Sequence, residues 1–397
     1  MATQYLQGFE QVIPTSSAIG QVLPNEVSDF YGFQTPETTT DWFLNASGTQ
    51  DETSGPMVTD EDARVTGQCL RIRRPNAGAN QSAFNGAHSI TFTRSMADQT
   101  KVVLGVAIKY DKVPEVTVPI LSFSYDDGVS TEEQLSVWAS PQGALMVSAV
   151  DFDVQSITTQ TPTPITDGIT PNGIFNFQQW MYIEVSLDVS GLTPQLLVAL
   201  NNRIVLDIYD EEAAKASDAF INRVSIINPH NLYFIDDAYT MYVDDIYVLD
   251  GNGDVNNAIL GPQYVMFLPA GSSVEASWTV NGGATSNMMA VGKALDPADL
   301  SVFAQAGLDA LNDYYKISEL PLKSGQVTIL AIGAFVSIDA GSDPIDLLLK
   351  AGDDEDTLEV AVNTATPFYQ ASYHDKAPNG NVWSRKGIRE VRVGIAS

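Results

Sequence analysis

The chain has few residues of the kinds that do chemistry. A single cysteine, Cys69, rules out an intrachain disulfide and any cluster of thiolate ligands within one chain. In the strand-like run "QCLRIRR" it reads as a small buried hydrophobe. Histidine is almost as scarce. His88 opens "HSITFTR", His230 lies in the turn-like "NPHN" and His374 in "SYHDK". None sits in a G-x-S-x-G elbow, an H-E-x-x-H pair or any other zinc spacing, so each reads as structural or solvated. The G-x-x-x-x-G-K-[ST] phosphate loop is missing too, and the "GNG" after one strand leads into no helix. Basic charge is short: 20 Lys and Arg face 49 Asp and Glu, a net charge of −29 that argues against a phosphate-binding surface and hence against nucleic acid. No run of about 18 apolar residues is present, and "MATQYLQGFEQVIP" has neither a basic start nor an apolar stretch. Neither a membrane span nor a signal peptide is expected.

What is present is β pattern. With 397 residues the chain is long enough for two or three domains. Its apolar segments are short, β-branched and bounded by Gly, Asn, Asp or Pro: "CLRIRR", "HSITFTR", "KVVLGVAIKY", "VPILSFSY", "QLSVW" and "ALMVSAV". "WMYIEVSLDVS" alternates as a half-buried strand does. "QLLVALNNRIVLDIY" gives two strands joined at Asn201-Asn202, where asparagine tolerates the positive φ of a type I′ turn. Polar loops at Gln34–Ala63 and Gln155–Gly173 are the cheapest places for partner recognition. "DEEAAKASDAF" and "DPADLSVFAQAGLDALNDYY" read as one or two helical turns at most, the second being interrupted by Gly307.

Strand pattern resumes after "DGNGDVNN", as "QYVMFLP", "VEASWTV", "QVTILAIGAFVSID", "PIDLLLKAG", "TLEVAV" and "IREVRVGIA". This predicts an all-β protein, with a first sandwich over 1–251, a linker turn over 252–260 and a smaller second sandwich over 261–397. Strict alternation in "MYVDDIYVLD" sets Tyr242, Ile246 and Val248 on one face and Val243, Asp245, Tyr247 and Leu249 on the other.

Three constellations deserve weighing for function. Asp250, Asn252 and Asp254 place oxygens at alternate positions as the start of a calcium loop does, yet Val255 stands where that loop needs Gly and Gly261 where it needs Glu. A non-helical calcium site drawing on Asp244, Asp245, Asp250, Asn252 or Asp254 stays open, with no other cofactor indicated. Glu184 and Asp188 share one face of a strand, as the paired carboxylates of a sandwich glycosidase do, but without a third acid; the plainer reading is a solvated strand face. Trp42, Trp138, Trp180, Trp278 and Trp383 are candidates for stacking on sugar rings, although most sit in or beside strand patterns and read as core.

The segments "LQGFE", "TGQCLRI" with "SITFTR" and "VVLGVAIKY", "WMYIEVSLD", the hairpin "LLVALNNRIVLD" and the closing "MYVDDIYVLDGNGDVNNAILGP" together resemble the concanavalin A-like, laminin G-like jelly-roll proteins of tailed bacteriophage virions. "SWTV", "DALNDYYKISEL", "ILAIGAFVSI" and "NVWSRKGIREVRVGI" look like the second sandwich of such proteins. "NN" replaces the usual Asn-Gly in the hairpin, and "GP" stands where Gly-Asp is common. The resemblance implies a virion structural component: a fibre, tail-tip, adaptor or capsid-decorating protein that is not an enzyme. It would assemble in the host cytoplasm with other virion proteins, as a homo-oligomer and a trimer if fibre-like. The alternative is a carbohydrate-binding module for host surface glycans, and a glycosidase or lyase comes third.

Overall fold

A computed structural model describes residues 3–7, 55–59, 62–64, 68–74, 90–127, 131–149, 164–209, 220–228, 239–266, 268–291, 303–306, 312–318, 326–336, 344–360 and 368–397. It is all-β, as the pattern predicts. The first thirteen strands are β1 (Thr3–Gln7), β2 (Gly55–Thr59), β3 (Cys69–Arg74), β4 (Ile90–Gln99), β5 (Lys101–Tyr110), β6 (Val118–Asp126), β7 (Thr131–Ala139), β8 (Leu145–Ser148), β9 (Met181–Asp188), β10 (Gln195–Leu200), β11 (Arg203–Tyr209), β12 (Ile221–Asn228) and β13 (Tyr239–Leu249). Two antiparallel sheets form. One has the order β11-β10-β9-β5-β13-β3-β2 with β1 also on β13, and the other the order β4-β12-β6-β7-β8. β2 lies inside the segment expected to be a loop.

The sheets close on one core through the alternating side chains of their central strands. Val102, Leu104, Val106 and Ile108 of β5, and Ile183, Val185 and Leu187 of β9, meet Leu121 and Phe123 of β6 and Leu135 and Val137 of β7, all fully or nearly fully buried. Each such side chain removed from water stabilises by roughly 1.5–3 kcal/mol before chain entropy is subtracted. The β10–β11 hairpin turns at Asn201 (φ 49°) and Asn202 (φ 68°), with Leu200 opposite Arg203, so the positive φ expected at both residues is found.

Nine further strands follow: β14 (Ala270–Glu275), β15 (Thr279–Val280), β16 (Ala304–Gln305), β17 (Asn312–Ile317), β18 (Leu330–Val336), β19 (Ile345–Ala351), β20 (Asp354–Val360), β21 (Phe368–His374) and β22 (Val391–Ala396). They make a five-stranded sheet β14-β17-β22-β19-β20 and two ribbons, β15-β16 and β18-β21. Ile332, Leu349, Trp383, Ile388 and Val391 form the core between the larger sheet and the β18-β21 ribbon. The expected helical turn at "NDYY" is strand instead, held by β14 on one side and β22 on the other. Asp313 in it is fully buried and accepts from Ser277 N, Trp278 N, Asn287 Nδ2 and Tyr315 Oη, which fixes the chain around it. Among the described residues two short helices occur, α1 (Asn287–Val291) and α2 (Arg385–Glu390), the latter taking the first residues of the expected strand "IREVRVGIA". Ser384 caps α2 by accepting from Gly387 N at 3.0 Å. "DEEAAKASDAF" lies outside the described residues apart from its final Phe220. No described helix is long and apolar enough to cross a membrane.

Candidate functional site

The outer face of the eight-stranded sheet, turned away from the core, gathers most of the unusual chemistry. Along β9, Met181, Ile183, Val185 and Leu187 point into the core, which sends Tyr182 and Glu184 outward with Trp180 just before them. Along β13 strict alternation fails. Met241, Val243, Ile246 and Val248 all join the core, while Tyr247 and Leu249 pack on the outer face. The register on β5 slips between Asp244 and Tyr247, and Asp245 takes φ 51° there. This bulge corrects the faces expected for "MYVDDIYVLD", because one extra residue flips all that follow it. It also marks the changeover from β3, which pairs with 239–243, to β1, which pairs with 246–249.

Glu184, Gly105 and Tyr247 form one cross-strand row. A side chain on Gly105 would put its Cβ 2.2 Å from Tyr247 Cε1, so only glycine lets the ring lie across β5. The Tyr247 hydroxyl thereby donates to Glu184 Oε1 at 2.5 Å. A strap at 259–265 crosses the same face. Gly261 N donates to Glu184 Oε1 (2.8 Å), Leu260 N to the Tyr247 hydroxyl (3.2 Å) and Val265 N to Asp245 Oδ1 (2.8 Å). Gly261 adopts φ 80°, which suits glycine. Glu184 is sealed at 0% exposure, with its Oε2 buried and without a hydrogen-bond partner among the described residues. Burial raises its pKa above the ordinary 4.5, against the opposing pull of the Tyr247 and Gly261 donors. Glu184 is thus not on a solvated strand face, because the strap that covers it lies 77 residues away in sequence. Asp188 shares the face but turns to its own loop, accepting from Ser190 N (3.0 Å) and Ser190 Oγ (2.6 Å).

Beside this row the Arg64 guanidinium lies 4.5 Å from the Tyr182 ring centroid and 4.6 Å from that of Tyr264. It pairs with Asp245 at 2.8 Å and donates to the Gln263 carbonyl at 2.7 Å. Burial raises the Asp245 pKa while Val265 N and Arg64 oppose it. Asp244 accepts from Asp245 N at 2.8 Å, and the Tyr182 hydroxyl donates to the Asp245 carbonyl at 3.0 Å. Toward solvent, the Trp180 indole N–H donates to the Asp62 carbonyl at 3.0 Å, and its ring meets Tyr242 edge-on at 6.4 Å. Lys109 reaches over Tyr242 (5.6 Å) to pair with Asp62. Trp180 is half-buried, Tyr264 is 49% exposed and the Asp62 side chain 41% exposed. The arrangement offers aromatic surface flanked by paired donors and acceptors.

The other expected site residues are dispersed. Asp250 accepts from Asn252 N (2.9 Å), Asn252 Nδ2 donates to Gln99 Oε1 (2.6 Å) and Asp254 pairs with Lys376 (3.0 Å). Among the described residues no group of three His, Cys, Asp or Glu side chains is placed to hold a metal ion. Trp138 and Trp383 are core, Trp278 is half-buried, and Trp42 lies outside the described residues, as do His88 and His230. His374 is buried, with Nε2 2.9 Å from Ser372 Oγ and Nδ1 3.3 Å from Asp356 Oδ2. The contacts follow the order of a nucleophilic triad. Yet Ser372 is paired with core residue Ile332 across the ribbon, so it shares that residue's inward face rather than a cleft. Cys69 is buried, and burial pushes its thiol up.

Sequence reading missed Arg64, Tyr182, Tyr242, Tyr247, Tyr264 and Gly261 as partners. One available signal was Gly105 in mid-strand, since glycine there marks a close approach. Alternation in "WMYIE" was another, setting Trp180, Tyr182 and Glu184 on one face.

No protein-family model matches the chain, and no curated protein is significantly similar. Similar solved structures include a mutant of alginate lyase Aly36B in complex with alginate tetrasaccharide (13% identity, TM-score 0.36, 62% of this chain and 97% of that one). They also include the cellulose-induced protein Cip1 (11%, 0.34, 53% and 90%) and the alginate lyase vAL-1 from Chlorella virus (10%, 0.33, 50% and 90%). At these identities the likeness is one of fold, in keeping with the expected jelly roll, and it carries no link to a bacteriophage particle. It does overturn the expectation that the chain is not an enzyme. The solved structures of similar fold include alginate lyases, which are enzymes.

Proposed function

We propose that this protein binds polysaccharide through the outer face of its eight-stranded sheet. The observation that carries the reading is the half-buried Trp180 and the half-exposed Tyr264 at the solvent edge, seated on buried Tyr242 and on nearly buried Arg64 and buried Tyr182, beside the paired Asp62 and Lys109. A sugar ring has an apolar C–H face and a polar rim, and it is held by an aromatic face flanked by hydrogen-bonding groups. The Trp180 N–H is already satisfied by Asp62, so the indole offers its ring rather than its donor.

Affinity electrophoresis through gels containing soluble polysaccharides tests this. Retardation that Trp180→Ala or Tyr264→Ala weakens roughly tenfold, about 1.4 kcal/mol, supports it. Equal mobility in every gel would sink it. A particle-borne role in host attachment is the second reading, supported by the segments that resemble those of virion proteins. Mass spectrometry of purified particles decides that point, and absence of the chain from them ends it.

A further inference from the structure

We infer that the glycan taken by this face is uncharged, a neutral hexose or pentose polymer and not a polyuronate or sulfated chain. The inference rests on the polysaccharide-binding reading above and concerns only what kind of polysaccharide fits.

The argument is one of local charge. Among the described residues the ionisable side chains grouped at the site are Asp62, Glu184, Asp244 and Asp245 against Arg64, Arg71 and Lys109. Arg71 stands opposite Tyr242 in register, and Asp244 and Asp245 lie two and three residues beyond Tyr242 on the same strand. Four acids stand against three bases, so the patch has no surplus of positive charge. Arg64 is held by Asp245 at 2.8 Å and Lys109 by Asp62, so the cations nearest the aromatic rings already have carboxylate partners. Glu184 is sealed beneath the strap and can add only negative charge.

A carboxylate on an incoming sugar would have to displace Asp62 or Asp245 from its cation, leaving that acid unpaired in a partly desolvated place. It would also approach a chain of net charge −29, whose field is screened only beyond about 8 Å at physiological ionic strength. A hydroxyl asks for neither. The Asp62–Lys109 pair presents an acceptor and a donor side by side, which suits the vicinal hydroxyls of a neutral sugar while the pair stays intact. Tyr264, half exposed over Arg64, and the half-buried Trp180 supply flat surface for the C–H faces.

The experiment uses the full chain in affinity electrophoresis and calorimetry. The neutral probes are hydroxyethyl cellulose, glucomannan and xylan; the acidic probes are alginate and polygalacturonate. Each is run at about 20 mM and about 500 mM NaCl, a range over which screening of exposed charges changes several-fold. The expected result is binding to a neutral polymer that changes less than about twofold with salt and is weakened about tenfold by Trp180→Ala, with no binding to the polyuronates. A second variant reads the charge argument directly: Asp62→Lys, which frees one cation and adds another, should create salt-sensitive binding to polygalacturonate. Binding of the unaltered chain to a polyuronate but to no neutral polymer would overturn the inference and leave the polysaccharide reading standing. Failure of Asp62→Lys to gain polyuronate binding, in a chain with an unchanged melting temperature and intact neutral-glycan binding, would overturn the charge argument. Binding to none of the five polymers would remove the polysaccharide reading itself.

Discussion

Tyr247 reaches over Gly105 to place its hydroxyl 2.5 Å from Glu184, across a strand that separates their own two strands in the sheet. The strap at 259–265 is bonded to both, so this row joins the sheet to the chain that leads into the second set of strands.

Gly105→Ala tests the row at its narrowest point. The new Cβ would meet Tyr247 Cε1 at 2.2 Å, so the ring must leave and take its two hydrogen bonds with it. Overpacking of this kind costs about 1–3 kcal/mol, and a fall in the urea midpoint is expected. Tyr247→Phe should cost a comparable ~1–3 kcal/mol without any clash, by stripping a donor from buried Glu184 and an acceptor from Leu260 N.

Glu184 gives the stability curve a limb that falls with rising pH. Its folded pKa lies above 4.5, so between the two values the native state holds more protons than the unfolded chain. Stability from the neutral acid is therefore complete below about pH 4.5 and is lost as pH rises through the folded value. Asp245, also raised by burial, acts in the same direction, with Arg64 beside both. Glu184→Gln should flatten this loss in melts taken from pH 4 to 9, leaving the share that belongs to Asp245.

His374 gives the opposite limb. Burial lowers its pKa below 6.5 despite the raising influence of Asp356 and Asp375, so the native state favours the neutral ring. Its contribution is present above pH 6.5 and is lost as pH falls through the lower folded value. Replacing it, as in His374→Gln, should remove that acid-side loss, read as a smaller drop in melting temperature between pH 7 and pH 5.

Arg64 and Asp245 depend on one another. Asp245→Ala leaves a nearly buried guanidinium between two rings without its carboxylate, at a cost of about 3–5 kcal/mol. The double change with Arg64→Met should recover a large part of that loss, because the uncompensated charge goes with it. Chemical denaturation of the single and double variants checks the cycle.

At the hairpin, Asn202→Gly replaces a residue held at φ 68° by one that adopts it freely. A gain of a few tenths to about 1 kcal/mol is expected, against a small loss from the more flexible unfolded chain.

The sequence by itself determined the all-β class, the β10–β11 hairpin and the common face of Trp180, Tyr182 and Glu184. These depend on neighbours within a few residues, through alternation of side chains and the φ preferences of asparagine. It could not show that Glu184 is sealed or that Asp245 is a bulge. Nor could it show that Arg64 lies between two tyrosines drawn from positions 182 and 264. Those outcomes were decided by tertiary structure, for a physical reason: a one-residue slip on β13 reverses every later face. Whether a carboxylate meets water or a backbone N–H, in turn, depends on a strap brought back from 77 residues away.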